Sequence, residues 1–469
     1  MRTCDGRIRI LRRAAGTVLT LGLLLGASQP SHAASLPAIA VSGNKLVAGG
    51  AEIVLRGVNA LDPLAMNRYM GHWEDNYFAQ MADWGSKVVR IPVHPSEWGS
   101  RFYNGTGSCA FPQVYQQCKD RMAVIEQAVT WAGDHGMYSI IDWHVIGSLV
   151  TGYFQGYVYR TTQAETEDFW RQIATRFKDD PRVAAYELLN EPVTDRNGWQ
   201  VSEAQWIEQR DWFENLVDVI RVIDPDKPII CNGLDWGYNL VYAGDNPVDR
   251  PGIVYGAHPY PVKALPWEDY FGYLTGKYPV LATEFGFQNN GSSVYDESVY
   301  QGGVSYRSDL DAYLEGKGIG WMAWSFGPLW EPILTLDWDY IPSEQGQFYR
   351  DKLLAAAGEP IPEPEGVAHV AGITMSFQQK HNSYKATAAV TVVDESGQLL
   401  SSATVQGEFT AATTDSVSAV TGTDGQATLI SSSKRGGGTW SFCAKNVARS
   451  GWTYDATANL ATCATITAP

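Results

Sequence analysis

Two patterns of apolar positions alternate between residues 52 and 358. Eight short apolar runs read "EIVLRGVNA" at 52, "KVVRIPVH" at 87, "YSIIDWH" at 138, "AAYELLNEP" at 184, "PIICNG" at 228, "IVYGAHPY" at 253, "PVLATEFG" at 279 and "GIGWMAWSFG" at 318. Between most of them lie longer segments such as "AETEDFWRQIATRFKDD" and "EAQWIEQRDWFENLVDVIRVID", whose apolar residues recur three and four positions apart. Run and helix in alternation predict βα units on a parallel sheet, and eight units predict a (β/α)8 TIM barrel, an α/β fold. The weakest unit follows the fifth run, where "GYNLVYAGDNPVDRPG" predicts only a helical stub. A doubly wound open sheet is the alternative; it would usually carry a glycine fingerprint at its first turn, and none is present. Ahead of the first run, "VSGNKLVAGGAEIVLRG" predicts a hairpin closing the bottom of the barrel.

The texture changes at both ends. Residues 1–33 place five arginines before a short apolar stretch and a small-residue site at Ser31, His32 and Ala33, the pattern of a secretory signal cut after Ala33. After Ala357, "GEPIPEPEG" predicts a stiff, solvated spacer over 359–366. Residues 367–469 then alternate apolar and polar positions in stretches such as "KATAAVTVVD" and "GQATLIS", broken by "DESGQ" and "TDGQ" turns, which predicts a small antiparallel all-β sandwich. The predicted division is therefore a signal over 1–33, a barrel over 34–358, the spacer over 359–366 and a sandwich over 367–469.

Charge and cysteines narrow the partners. Removing the signal takes away five arginines and Asp5, a net of +4, and moves the formal charge from −16 to −20. So acidic a surface repels nucleic acid and anionic membranes, and no later segment is apolar and long enough to span a bilayer. In an exported chain Cys109 with Cys118 and Cys443 with Cys463 are natural disulfides, and Cys231, inside an apolar strand, reads as a buried thiol. No CxxC or HExxH spacing occurs, so neither a metal nor another cofactor is expected.

In a barrel, reactive groups gather where the strands end. The runs deliver Asn59, Arg90 and His94, His144, Asn190 and Glu191, Asn232, His258 and Tyr260, Glu284, and Trp324 with Ser325. Glu191 ends the fourth run and Glu284 the seventh, on opposite sides of an eight-stranded ring. Two carboxyls of unequal acidity facing each other are what glycosidic cleavage requires, one to protonate the leaving oxygen and one to attack or activate water. Arg90 and Tyr260 are expected to hold one carboxylate ionised, leaving the other, beside His258, with its proton. Glu187, four residues earlier, is expected to satisfy a buried polar network lower in the barrel, Asn59 to stabilise the first turn, and His94 to be either a site residue or a loop hydrogen-bonding group.

With these residues in place, the stretch from about 38 to 357 resembles glycoside hydrolase family 5, the cellulase family of retaining barrel enzymes. The resemblance implies Glu191 as acid/base and Glu284 as nucleophile. It implies Asn190 on the 2-hydroxyl of the sugar in the cleaved subsite, Arg90 and Tyr260 positioning the nucleophile, His144 and His258 touching sugar and acid/base, and Trp324 as the stacking floor. Double displacement with retention follows from the family, since retention needs the carboxyls ~5 Å apart and inversion roughly 6.5 Å or more.

The expected protein is thus an exported retaining β-glycanase of the endo-β-1,4-glucanase type, acting on a polysaccharide or oligosaccharide. A β-mannanase on the same barrel and a non-catalytic carbohydrate-binding protein are the alternatives. Of the seventeen tryptophans, Trp98, Trp236, Trp330 and Trp338 fall in predicted top loops and are candidates for stacking on sugar. The aromatic loop "GSLVTGYFQGYVYRTTQ" is another groove candidate. The sandwich resembles the immunoglobulin-like or fibronectin-like modules of secreted bacterial hydrolases; Trp440, Trp452 and Tyr454 are expected to pack its core in preference to forming an exposed platform.

Overall fold

A computed structural model describes residues 36–99, 120–195, 198, 201–288, 303–358, 366–449 and 452–469. The signal, the Cys109–Cys118 bridge, the glycosylation sequons at Asn104 and Asn290, and the spacer up to residue 365 lie outside the described residues.

Each of the eight apolar runs contains a strand: β1 (Arg56–Asn59), β2 (Val88–Val93), β3 (Tyr138–Trp143), β4 (Val183–Glu187), β5 (Ile229–Asn232), β6 (Ile253–Ala257), β7 (Val280–Phe285) and β8 (Gly320–Ala323). Each pairs in parallel with the next, and β8 returns to β1 to close the barrel. The strands β2, β3 and β4 are buried at every position. A strand covered on both faces has no solvent side to alternate with, which is why these segments read as unbroken apolar runs.

The barrel interior is layered. Inward residues including Leu55, Val88, Ile140, Ile230, Val254 and Met322 form one cluster with Ile39 and Leu46 of the antiparallel hairpin Ile39–Ser42/Lys45–Ala48, which plugs the bottom. Towards the strands' C-terminal ends the buried positions turn polar: Asn59, Arg90, Asp142, Glu187, Asn232 and Thr283 are all fully buried.

Outside the barrel, helices Gln163–Phe177 and Glu203–Arg221 open with capping boxes formed by Thr162 with Glu165 and by Ser202 with Gln205. Their apolar faces join the outward strand residues in the larger core. The unit after β5 is indeed a stub. Asp235 and Trp236 there adopt left-handed backbone at φ 57° and 53°, which interrupts any α-helix. The unit after β6 is also reduced, to a short helix Trp267–Tyr270 and a 3-10 segment Gly272–Gly276.

The C-terminal region forms two sheets. One contains Gly366–Lys380, Ser383–Asp394, Gln426–Ile430, Lys434–Arg435 and Trp452–Tyr454; the other contains Thr404–Ala411, Asp415–Val420, Gly438–Ala448 and Cys463–Ala468. Their shared core includes Val370, Val390, Val405, Phe409 and Trp440, with Trp452 and Tyr454 packed against it. One pairing departs from the expected antiparallel pattern: Gly366–Ala368 runs parallel to Trp452–Tyr454. The chain reaches that edge from a strand of the other sheet, so no hairpin dictates its direction. Cys443 and Cys463 face each other on neighbouring strands and are bridged, and Cys231 is a buried free thiol. Among the described residues no helix is long and apolar enough to cross a membrane.

Candidate active site

Arg90, on β2, organises the floor. Its Nε and Nη2 donate to the Glu187 carboxylate at 2.5 and 3.1 Å, Nη1 to Asn59 Oδ1 and Glu284 Oε2 at 2.9 Å each, and Nη2 to Asn190 Oδ1 at 2.6 Å. Glu187 also accepts from Asn232 Nδ2 at 2.6 Å and Thr283 Oγ1 at 2.8 Å. Burial alone would raise the pKa of Glu187, but the guanidinium and these donors hold it down to about 2. Glu187 thus belongs to the lower network, as its sequence position suggested. Asn59 departs from expectation: it brackets Arg90 and donates to the carbonyls of Thr283 and Met322, tying β1 to β7 and β8.

Glu284 receives Arg90 on Oε2 and the Tyr260 hydroxyl on Oε1, the latter at 2.9 Å. Burial, with the Glu191 charge, leaves its pKa raised overall, although His258, Arg90 and Tyr260 favour the ionised form. Glu191 Oε1 lies 3.1 Å from His258 Nδ1. The Thr283 hydroxyl spends its one proton on Glu187, so at 3.1 Å from His258 Nε2 it can only accept, which places a proton on that ring nitrogen. Burial would lower the His258 pKa, but the surrounding carboxylates of Glu284, Glu187 and Glu191 outweigh it and draw it upward. His258 stands beside Glu191 as expected, and its ring is drawn toward the charged form. Glu191, His258 and Glu284 each bring a ligand-type atom within 4.8 Å of the others, so the two glutamates face each other at that range.

These carboxylates open into a cleft of about 700 Å³. His144, Asn190, Glu191, Tyr260, Glu284 and Trp324 line it. Arg90 and His258 do not; both are fully buried and reach the cleft through the carboxylates they hold. Arg90 thus stands where a residue positioning Glu284 is expected, and His258, sealed by the barrel interior, meets Glu191 and not the cleft. The Nδ2 of Asn190 has no hydrogen-bond partner among the described residues, since Arg90 occupies only the oxygen.

One wall is aromatic. The His144 ring lies parallel to Trp324, 5.4 Å between centroids and 6° between planes, and Trp330 lies parallel to Trp324 at 6.0 Å. His144 Nδ1 pairs with Asp142 Oδ2 at 2.7 Å. Burial drives the Asp142 carboxyl well up and the His144 ring well below its usual value, so the neutral ring is favoured. The opposite wall flanks Glu191, where Lys263 Nζ donates to the Asp235 backbone oxygen at 2.6 Å and to its Oδ1 at 3.0 Å, clamping the left-handed turn. That turn presents Trp236, whose indole donates to Gln155 in the aromatic loop after β3. Both Gln155 and Trp236 line the cleft, as do Val158 and Tyr159 of the same loop.

Trp236 and Trp330 are thus groove residues, and Trp98 and Trp338 are not. Trp98 is buried edge-on against Phe169, and Trp338 stacks on His72. Asp142, Asp62, Thr283 and Lys263 were missed as site residues. Asp142 had a signal: two positions before His144 on one strand, it shares that residue's face. Lys263 and Asp62 had none, because only the folded loops bring them to their partners.

The cellulase family, glycosyl hydrolase family 5, matches residues 46–329. An endoglucanase of Bacillus sp. (strain KSM-635) is 27% identical over 238 residues, 49% of this chain and 23% of that protein. Cellulase CelDZ1 of Thermoanaerobacterium sp. is 25% identical over 309 residues, 63% of this chain and 72% of that protein. The chain spans about a quarter of the length of the first two curated relatives, 23% and 27%. Among solved structures, the native form of beta-glucanase SdGluc5_26A from Saccharophagus degradans is similar with a TM-score of 0.61 and 36% identity, over 69% of this chain and 94% of that one. That beta-glucanase has also been solved in complex with cellotetraose.

Proposed function

Because the chain belongs to the cellulase family, glycosyl hydrolase family 5, we propose that it is a secreted retaining β-glycanase that hydrolyses a β-1,4-linked glucan in the manner of an endoglucanase. The observation that carries this reading is the facing pair Glu191 and Glu284, one oxygen of each within 4.8 Å of the other across an open cleft. Retaining enzymes hold their carboxyls ~5 Å apart, too close to admit the water an inverting enzyme needs between them. The glucan is supported by the beta-glucanase that is 36% identical to this chain and has been solved with cellotetraose. Export is supported by the signal pattern of residues 1–33.

In this reading Glu284, aligned by Arg90 and Tyr260, attacks the anomeric carbon while Glu191 protonates the departing oxygen. Esterification removes the Glu284 charge, so Glu191 no longer faces a like charge once its proton has gone. As the ionised partner of His258 it then takes a proton from water, which releases the sugar with retained configuration. Asn190, whose Nδ2 is unpartnered among the described residues, suits the sugar 2-hydroxyl, and Trp324 suits the ring's apolar face.

The test is reducing-sugar release by the protein lacking residues 1–33 from carboxymethyl cellulose, barley β-glucan, xyloglucan, galactomannan and xylan, with Glu284→Gln alongside. Release from the β-glucans that falls by about four orders of magnitude in the variant is expected, the scale of losing a covalent nucleophile. Activity confined to galactomannan would overturn the substrate, and full activity in the variant would overturn the mechanism.

A further inference from the structure

His94, at the end of β2, is not needed by the chemistry above, yet it lines the cleft between His144 and Trp330. Its side chain is only 12% exposed. Asp62, fully buried, accepts from the His94 backbone N–H at 2.8 Å and faces ring Nδ1 at 2.9 Å with the same oxygen, Oδ2. Its other oxygen caps the turn at Leu64 and Ala65. A carboxylate that already accepts from a backbone amide accepts from Nδ1 too, which fixes the proton there and leaves Nε2 as a bare acceptor. Nε2 has no hydrogen-bond partner among the described residues.

The surroundings say what Nε2 faces. The His94 ring is 4.5 Å from His144 and edge-on to Trp330 at 5.3 Å. Trp330 stacks beside Trp324 in the segment after β8, and His94 ends β2, both strands neighbouring β1 in the closed ring, whereas Asp235 and Trp236 follow β5 and Lys263 follows β6 across it. Those three flank the acid Glu191 and hence the leaving group. An indole face beside an oriented, unpartnered acceptor is the pairing a sugar needs, one partner for its CH face and one for a hydroxyl.

Resting on the glycanase reading, we propose that His94, oriented by Asp62, is a further substrate-binding residue that accepts a hydrogen bond from a hydroxyl of the second sugar on the glycone side, the one seated against Trp330. His94 makes the enzyme sensitive to the length of the glycone and has no part in bond breaking.

The experiment compares kcat/KM for 2,4-dinitrophenyl β-glucoside, which fills only the cleaved position, with that for the β-cellobioside, which also fills the next. His94→Phe keeps a ring against His144 and Trp330, and Asp62 keeps its three backbone donors. In this variant the cellobioside-to-glucoside ratio should fall about tenfold, the loss of one hydrogen bond. His94→Gln, which restores an acceptor, should recover part of it. A ratio unchanged in His94→Phe, or equal losses on both substrates, would overturn the proposal in favour of a packing role. Wild-type protein that cleaves neither glycoside nor β-glucan would overturn the glycanase reading, and the proposal with it.

Discussion

Glu187→Gln is the substitution that tests the site's architecture most directly, because Glu187 is sealed from the cleft yet holds Arg90. The carboxylate accepts from Arg90 Nε on Oε2, and from Arg90 Nη2, Asn232 and Thr283 on Oε1. Glutamine supplies one acceptor and one donor. Whichever way it turns, an amide N–H meets an N–H or O–H donor, and Arg90 loses one of its three buried counter-charges, keeping Asp142 and Glu284. Breaking a buried ion pair from one side costs about 3–5 kcal/mol. Linkage gives a second figure: a pKa of about 2 against the ordinary 4.5 corresponds to roughly 3 kcal/mol at 1.36 kcal/mol per unit. The two agree, and for a domain of this size imply a fall in Tm of roughly 4–7 °C at pH 7. Since the folded pKa is depressed, this stability is present above the unfolded value of 4.5 and is lost as pH falls through about 2. The gap between wild type and variant, measured by denaturant unfolding, should therefore be widest near neutral pH and narrow steadily below pH ~4.5. Turnover should fall about a hundredfold as Arg90 drifts and Glu284 loses its alignment. A gap below about 1 kcal/mol, the range of a surface pair, or a gap that does not change with pH, would refute the argument that Glu187 is a buried counter-ion.

Other outcomes follow from the same geometry. Gly256→Ala places a Cβ 1.7 Å from Asn232 Oδ1, so it should destabilise the barrel by about 1–3 kcal/mol and lower kcat by disturbing the amide that holds Glu187, as thermal melts and β-glucan assays would show. His258 has its folded pKa raised above 6.5, so its stabilising contribution is complete below that value and disappears as pH rises through the folded pKa; the stability gap to His258→Gln should therefore shrink on going from pH 6 to alkaline pH. Replacing Cys443 and Cys463 by alanine opens a loop spanning a sequence separation of 20 and should cost the sandwich about 3 kcal/mol in denaturant unfolding.

The sequence alone carried the architecture and the two facing carboxyls, and the reason is local. Barrel strands are apolar because both faces are covered, helices are periodic because one face is, and the residue that ends each run is polar because it emerges into the cleft. Glu191 and Glu284 stand out as carboxylates at the ends of buried runs, and no packing detail is needed to see them. What the sequence could not decide is which polar groups meet. Arg90 and Glu187 are 97 positions apart, Asn232 and Glu187 45, and Asp235 and Lys263 28; strand register and loop path bring them together. The same limit governs the tryptophans. Trp98 and Trp236 both follow barrel strands, but one loop folds its indole under Phe169 while the other, held left-handed by Lys263, turns its indole into the cleft. Likewise the proton preferences of His144 and His258 come from burial and from the carboxylates around each ring. Local pattern fixed the elements and their exposed ends, whereas desolvation and long-range pairing, properties of the closed barrel, fixed the charges on which its chemistry depends.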